Sequence, residues 1–490
     1  MHRSTGPEYP CPGGKIERRY SYMSNTVVGI LGLLTIIAIV VTLFKSKTQP
    51  AIAFIVWPTI LALILVIAGR YSFDNIAEMI KGGFKSTGPT AALFVFSVLY
   101  FGIMTDAGMF DVIIGKLMTF VGDNVIGVCV VTCIIALVGH LDGGGASTFC
   151  IVVPSMLPVF TRMHMRKTSL LRIAVLAMGV LNLMPWAGPT MRAASVLGIE
   201  AGSLWQTLLP IQAFGIVLAL AHAVLTGFQE KARGAGLNGK LAQQEGEVVL
   251  EETAAADANE DLKRPKLFIF NVVLTLCVIA MLIWDVFPSY YPFMIGVAIA
   301  LFVNYGFTAK MHKKIINLHA GPALMMCSTL MGAAVLMGVL TSSLGADGAV
   351  ISAKEMTLPA DAIPSVVRCL ANIVAGIMPA ALGQQLPIVI GILSVPLALA
   401  FDTDSYFYGM LPVVIGIGQA FGVEALPIAV AMVVCRNCAT FISPMVPATL
   451  LGTGLAEIDI KDHIKASFFY VWAFSILCML VGVVFGIIPL

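Results

Sequence analysis

Three carboxylates stand where apolar segments break, and they define the chemistry this chain could do. Asp142 sits in Gly-His-Leu-Asp-Gly-Gly-Gly-Ala-Ser-Thr-Phe, residues 139 to 149, and Asp402 and Asp404 sit in Phe-Asp-Thr-Asp-Ser-Tyr, residues 401 to 406. An acid in the middle of a membrane costs roughly 2.5 to 3.5 kcal/mol on insertion scales, so it has a partner or a task. It can cap a helix end by accepting backbone N–H groups, hold a cation, or carry a proton. Hydroxyls and amides crowd the same breaks: Ser147, Thr148, Thr190, Ser405, Thr440 and Ser443, with Asn182 and Asn437. A single Ser or Thr in a membrane helix commonly bonds its own backbone; clustering at four breaks is what makes these a ligand set. Together with backbone donors around Gly143 and Gly144 and the helix N-termini that open there, they suit a ligand rich in carboxylates. Arg436, deep in apolar sequence, is the guanidinium expected to clamp a carboxylate. Arg192 fits either that role or a snorkelling one at the interface. His140 beside the first break, and His222 in an apolar helix, fit packing better than proton relay. Trp186 stacks over a ligand or packs.

These groups need elements that bring them together at depth. At about 1.5 Å of rise per residue, residues 125 to 139 reach roughly 22 Å against a hydrocarbon core of about 30 Å, so arms of this length do not each span a bilayer. The expected element is a re-entrant hairpin, its unwound tip near the midplane and lining a wet cavity. A second irregularity follows: residues 168 to 184 begin a membrane helix that Asn182, Pro185, Trp186, Gly188, Pro189 and Thr190 interrupt. Two prolines and a glycine break its hydrogen-bond ladder. The stretch from Arg436 to Pro444 is the counterpart in the second half. Each half thus supplies one hairpin tip and one broken helix, the plan by which transporters build a site at the midplane.

Composition fixes the class. With 58% hydrophobic and 11% charged residues and a mean hydropathy of +0.93, the main solvent of this chain is lipid. The expected fold is an all-α polytopic membrane protein of about 10 to 12 transmembrane segments in two inverted-topology repeats. The boundaries read as a disordered extension over residues 1 to 25, with Met23 a candidate start, a first repeat over 26 to 228, a polar linker over 229 to 266 and a second repeat over 267 to 490. Within each half a basic amphipathic stretch, 70 to 87 or 307 to 320, precedes a helix opening at Gly88-Pro89 or Gly321-Pro322. An insertion near 344 to 363 separates the halves' registers. Lys and Arg are concentrated in the linker and in the loops on its side, which places the linker in the cytoplasm and the N-terminus outside; a further crossing at 106 to 122 would reverse the N-terminus.

Other functions find little support. The net charge of +2 comes with no basic patch, so no nucleic-acid partner is expected. The ten cysteines lie mostly in apolar segments and read as small buried hydrophobes, and Cys435 and Cys438 lack the further ligands a zinc site needs. There is no His-Glu-x-x-His, no phosphate-binding P-loop and no nucleophile elbow. One enzyme reading is chemically sound, an intramembrane aspartyl hydrolase pairing Asp142 with Asp402 or Asp404. Glycine-rich breaks flanked by Ser and Thr fit ligand binding better. A cation:proton antiporter, its acids binding ions alone, is the principal alternative.

At these residues the chain resembles the CitMHS family, the citrate–divalent metal:proton symporters of the ion transporter superfamily. The resemblance runs from residue 26 onward and is most specific at 141 to 149, at 182 to 192, and around Asp404 and Ser443-Pro444. It implies a secondary active transporter, not an enzyme, for citrate or a related di- or tricarboxylate, in the inner membrane of a bacterium. It further implies coupling to protons, with sodium the alternative used by related families. The implied substrate set is Asp142, Gly143, Gly144, Ser147, Thr148, Asn182, Trp186, Gly188, Pro189, Thr190, Asp404, Ser405, Arg436, Asn437, Thr440 and Ser443. The coupling set is Asp142, Asp402, Asp404 and His140. An elevator motion and a homodimer are implied as well. No cofactor is expected, although Mg²⁺ or another divalent cation travels with the substrate in such proteins. One departure bears on that: members carrying metal–citrate read Leu-Asp-Gly-Asp-Gly at the first tip, and here Gly144 replaces the second acid. One hard oxygen ligand fewer favours a free carboxylate.

Overall fold

Helix starts follow from local chemistry. Ser72 Oγ accepts from the Asn75 N–H at 3.1 Å while Asn75 Oδ1 accepts from the Ser72 N–H at 3.0 Å, a reciprocal cap. Asp459 caps another helix by accepting from the Lys461 N–H at 2.8 Å. Left-handed glycines close others, Gly198 at φ 62° and Gly234 at φ 97°. The structure, a computed structural model, describes residues 23–46, 48–119, 124–237, 239–240, 260–284, 287–345, 347–351, 358–359 and 361–489. The extension over 1–22 and most of the linker lie outside the described residues.

In the first half the helices are α1 (Asn25–Ser46), α2 (Pro50–Ile67), α3 (Phe73–Asp106), α4 (Met109–Thr119), α5 (Val125–Gly139), α6 (Gly145–Arg162), α7 (Lys167–Leu181), α8 (Gly188–Leu197) and α9 (Ala201–Arg233). In the second they are α10 (Phe268–Trp284), α11 (Tyr290–Tyr305), α12 (Ala309–Thr341), α13 (Val366–Ala375), α14 (Leu386–Ala400), α15 (Leu411–Ala420), α16 (Ala425–Cys438), α17 (Pro447–Leu455) and α18 (Ile460–Val484). Nine helical segments among the described residues are long and apolar enough to cross a membrane.

Packing repeats between the halves. Helix α2 lies on α12 and α11 lies on α3; α5 packs on α7 and α9, and α14 packs on α16 and α18. The centre is α7 and α16, apolar on every side apart from Ser169, Arg172, Arg436 and Asn437, and interior: every residue from Ser169 to Leu181 and from Ile428 to Cys438 is buried. They cross so closely that a Cβ on Gly179 would come 2.9 Å from Cys438 Cα. Large apolar side chains such as Leu34, Ile67, Ile269 and Trp284 face outward, as expected of helices solvated by lipid.

Four expectations need correction. First, Gly88-Pro89 and Gly321-Pro322 do not open helices. Both lie inside α3 and α12, of 34 and 33 residues; each proline removes one N–H, but packing between the long helices carries the ladder through. These helices meet at glycines, a Cβ on Gly83 falling 2.9 Å from Ala334 C and one on Gly338 2.9 Å from Met79 C. Second, the insertion holds a two-stranded sheet, Ser343 opposite Ile351 and Leu344 opposite Val350, so the fold is not wholly helical. Third, helix continues past residue 229 to Arg233, because Glu230 is buried and bonded by Arg166, Ser169 and Arg233. Fourth, the second arm of the first break is longer than the pattern implied: α5 keeps the expected bounds, Val125–Gly139, but α6 runs 18 residues. The chain nevertheless turns back there, since α5 and α6 lie side by side. The extra crossing considered at 106 to 122 is only the 11-residue α4.

Candidate functional site

The first tip is a loop that satisfies itself. After α5 a 3₁₀ turn, His140–Asp142, ends at Gly143 with φ 71°, a conformation glycine adopts without strain. Asp142 Oδ1 accepts the Gly144 N–H at 2.7 Å, and the Ser147 hydroxyl sits on Oδ2. Thr148 donates to Gly144 O at 2.7 Å and meets His140 Nδ1 at 2.7 Å. His140 Nε2 lies 3.1 Å from Asn182 Oδ1, tying the tip to the first broken helix. Trp186 adds a second tie: its indole N–H donates to Leu141 O at 2.7 Å, and its ring packs on Phe101 and Phe293. At 2% exposure the ring packs and does not stack over an open site.

The two broken helices are joined to each other. Asn182 caps α7, and its carbonyl accepts from Thr190 Oγ1 at 2.7 Å and from Asn437 Nδ2 at 2.9 Å. Pro189 begins α8, where a missing N–H costs nothing. Asn182 Nδ2 and Asn437 Oδ1 are buried without a hydrogen-bond partner among the described residues.

The second tip is organised by charge. Asp402 caps it, accepting from the Asp404 N–H at 3.1 Å and the Ser405 N–H at 3.3 Å, and a π-helical turn, Ser405–Met410, follows. Asp404 Oδ1 is 2.5 Å from Arg192 Nε on α8. A Cβ on Gly188 would fall 2.6 Å from an Arg192 nitrogen, so this glycine makes room for the guanidinium. Arg436 on α16 is wholly buried and reaches Phe401 O at 3.3 Å, Thr403 Oγ1 at 3.5 Å and Thr440 Oγ1 at 3.3 Å. All of these are neutral. Its Nε has no partner among the described residues.

Most of the expected residues therefore converge on two connected clusters, and Arg192 joins them. It is 8% exposed and ion-paired, which replaces the interfacial alternative. Its position two residues beyond Thr190, inside an uncharged run, was the sequence signal. Thr403 and Met326, whose sulfur lies 3.3 Å from Arg192, had none. Ser443 is spent structurally, donating to Ala398 O at 2.5 Å. His222 lies apart, against Tyr470. The carboxylates of Asp142 and Asp404 have separate partners, which does not fit an acid dyad sharing one proton. Among the described residues no group of three His, Cys, Asp or Glu side chains is placed to hold a metal.

A family model described as citrate transporter matches residues 16–435. A citrate transporter of Bacillus subtilis is 30% identical over 463 residues, covering 94% of this chain and 100% of that protein. A Mg²⁺/citrate complex secondary transporter of the same organism is 30% identical over 439 residues, covering 90% and 94%. The crystal structure of the Alcanivorax borkumensis YdaH transporter, 14% identical, superposes with a TM-score of 0.53 over 90% of this chain and 100% of that one. At that identity the likeness concerns the fold.

Proposed function

The chain belongs to the CitMHS family of citrate transporters, and from that premise we propose that it is a proton-coupled secondary transporter of citrate or a related di- or tricarboxylate. It is a multi-pass membrane protein and not an enzyme. The observation that carries the substrate class is Arg436. Arg436 is a fully buried guanidinium whose described hydrogen-bond partners are all neutral, with Asp402 the carboxylate that acts on it from the second tip; its Nε is left for a further anion, and Arg offers a carboxylate a two-pronged fork. Asn437 Oδ1, on the residue that follows Arg436, and Asn182 Nδ2, on the residue whose carbonyl Asn437 bonds, are buried without a partner among the described residues, and Asn437 Oδ1 suits the hydroxyl of a hydroxy acid. Ser147, Thr148, Thr190, Thr440, Ser405 and the Gly143–Gly144 backbone complete the set in this reading, with Asp142, Asp402, Asp404 and His140 the groups that serve coupling.

The two halves act as inverted repeats with re-entrant hairpins, a reading supported by the recurring element order and the reciprocal packing. The hairpins and broken helices then move together past a scaffold that includes α3 and α12, in a dimer in the inner membrane of a bacterium. A divalent ion, where carried, enters on the substrate's own oxygens. Gly144 supports the free anion, because its place beside Asp142, 3.0 Å from Oδ2 to a built Cβ, holds no second acid. Citrate uptake into proteoliposomes with and without Mg²⁺ tests this: uptake unchanged by chelation is expected, and uptake only with Mg²⁺ would assign the complex.

A further inference from the structure

The Arg192–Asp404 pair joins α8 of the first half to the tip of the second hairpin, so it bridges the two elements on which the site depends. Its geometry is incomplete as a static lock. A carboxylate can take two parallel N–H bonds from arginine, yet Asp404 receives one, from Nε, and the other described partner of the guanidinium is the Met326 sulfur at 3.3 Å, a weak acceptor. Neither side chain is sealed off, Arg192 being 8% and Asp404 14% exposed. Gly188 leaves one guanidinium edge without a side chain over it. The groups that act on the pair are Asp402, two residues back on the same tip, and Tyr408 on the π-helical turn. Arg436, reaching Phe401 O and Thr403 from α16, acts in turn on Asp402.

We propose that Arg192 is a substrate ligand held in reserve by Asp404: an incoming carboxylate takes the guanidinium, and the released Asp404 takes up a proton. The inference rests on the carboxylate-transport reading. The proton comes from the outer solution onto an Asp404 carboxylate oxygen and leaves to the inner solution when the substrate departs and the ion pair closes again. One exchange of partners thereby ties substrate binding to proton binding. An empty carrier cannot carry the proton alone, because Asp404 is then paired, and a loaded one cannot omit it without leaving an unpaired carboxylate buried beside another acid.

The test is calorimetric binding of citrate to purified wild type, Arg192→Gln and Asp404→Asn at two pH values, with proton uptake followed by an indicator dye in weakly buffered solution. Wild type is expected to take up about one proton per citrate bound beyond that absorbed by citrate itself. Asp404→Asn, which removes the competitor, is expected to bind about tenfold tighter and without proton uptake, and Arg192→Gln about a hundredfold weaker. A structural ion pair predicts the reverse for Asp404→Asn, weaker binding, since removing the acid strands a buried arginine. Weaker binding by a folded Asp404→Asn, or proton-free binding by wild type, overturns the exchange. The wild-type dye measurement decides the matter even where a variant does not fold. Wild type that binds neither citrate nor any other di- or tricarboxylate fails the transport reading itself, a different result from binding without protons.

Discussion

The two breaks, one in each half of the chain, solve the burial of a carboxylate differently. Asp142 is satisfied within its own loop, by Gly144 and Ser147, whereas Asp404 is satisfied by Arg192 from the other half. The first tip is thus a shaped loop bolted to its neighbour by Trp186 and His140. The second is an electrostatic junction between the two halves, and Arg436 reaches its Phe401 carbonyl. Local satisfaction gives rigidity, and a partner on another element gives a contact that a ligand can exchange. In the transport reading proposed above both tips contribute to binding and coupling, and the exchange of ion-pair partners belongs to the second.

Substitutions separate these roles. Arg436→Gln should have the largest effect, an uptake loss of a hundredfold or more, since a desolvated charged contact is worth about 2 to 5 kcal/mol; citrate uptake by reconstituted protein measures it. Asp142→Asn keeps an acceptor for Gly144 but removes one group assigned to coupling and should lower accumulation in part, whereas Asp404→Asn, which removes the exchange partner of Arg192, should stop accumulation while leaving citrate binding. Equal effects from the two substitutions would erase the contrast between the tips. Trp186→Phe keeps the ring and loses the bond to Leu141 O, which should cost about 1 kcal/mol in thermal unfolding and speed hydrogen exchange at residues 141 to 144.

The smallest effect is expected far from both tips. Lys167 beside Glu457 holds that exposed carboxyl below its usual range. The pair's slight stabilisation is therefore present at neutral pH and fades as pH falls through the lowered value. Glu457→Gln should leave uptake at neutral pH unchanged and should slightly reduce the acid dependence of the melting temperature.

Much of the candidate site was legible because its signals are local. A glycine run with an acid between apolar arms, or Asn-x-x-Pro inside a helix, is unusual enough in lipid to mark a break, and the helix ends at Asp142, Asn182, Asp404 and Arg436 fall where those signals stand. What was not legible depended on packing between distant segments. Gly88-Pro89 reads as a helix start, and only contact between α3 and α12 shows why the helix continues through it. Arg192 was ambiguous because its partner lies 212 residues away. The strands at 343 to 351 are too short for alternation to reveal, and they are held partly by the bridge from Leu344 to Ile363.

The most direct measurement is uptake of labelled citrate into proteoliposomes under an imposed inward proton gradient, with a sodium gradient as the parallel arm. Accumulation that requires the proton gradient, collapses with a protonophore and is lost in Arg436→Gln is the expected result. Accumulation driven by sodium alone, or no uptake of citrate or any related carboxylate under either gradient, would contradict it.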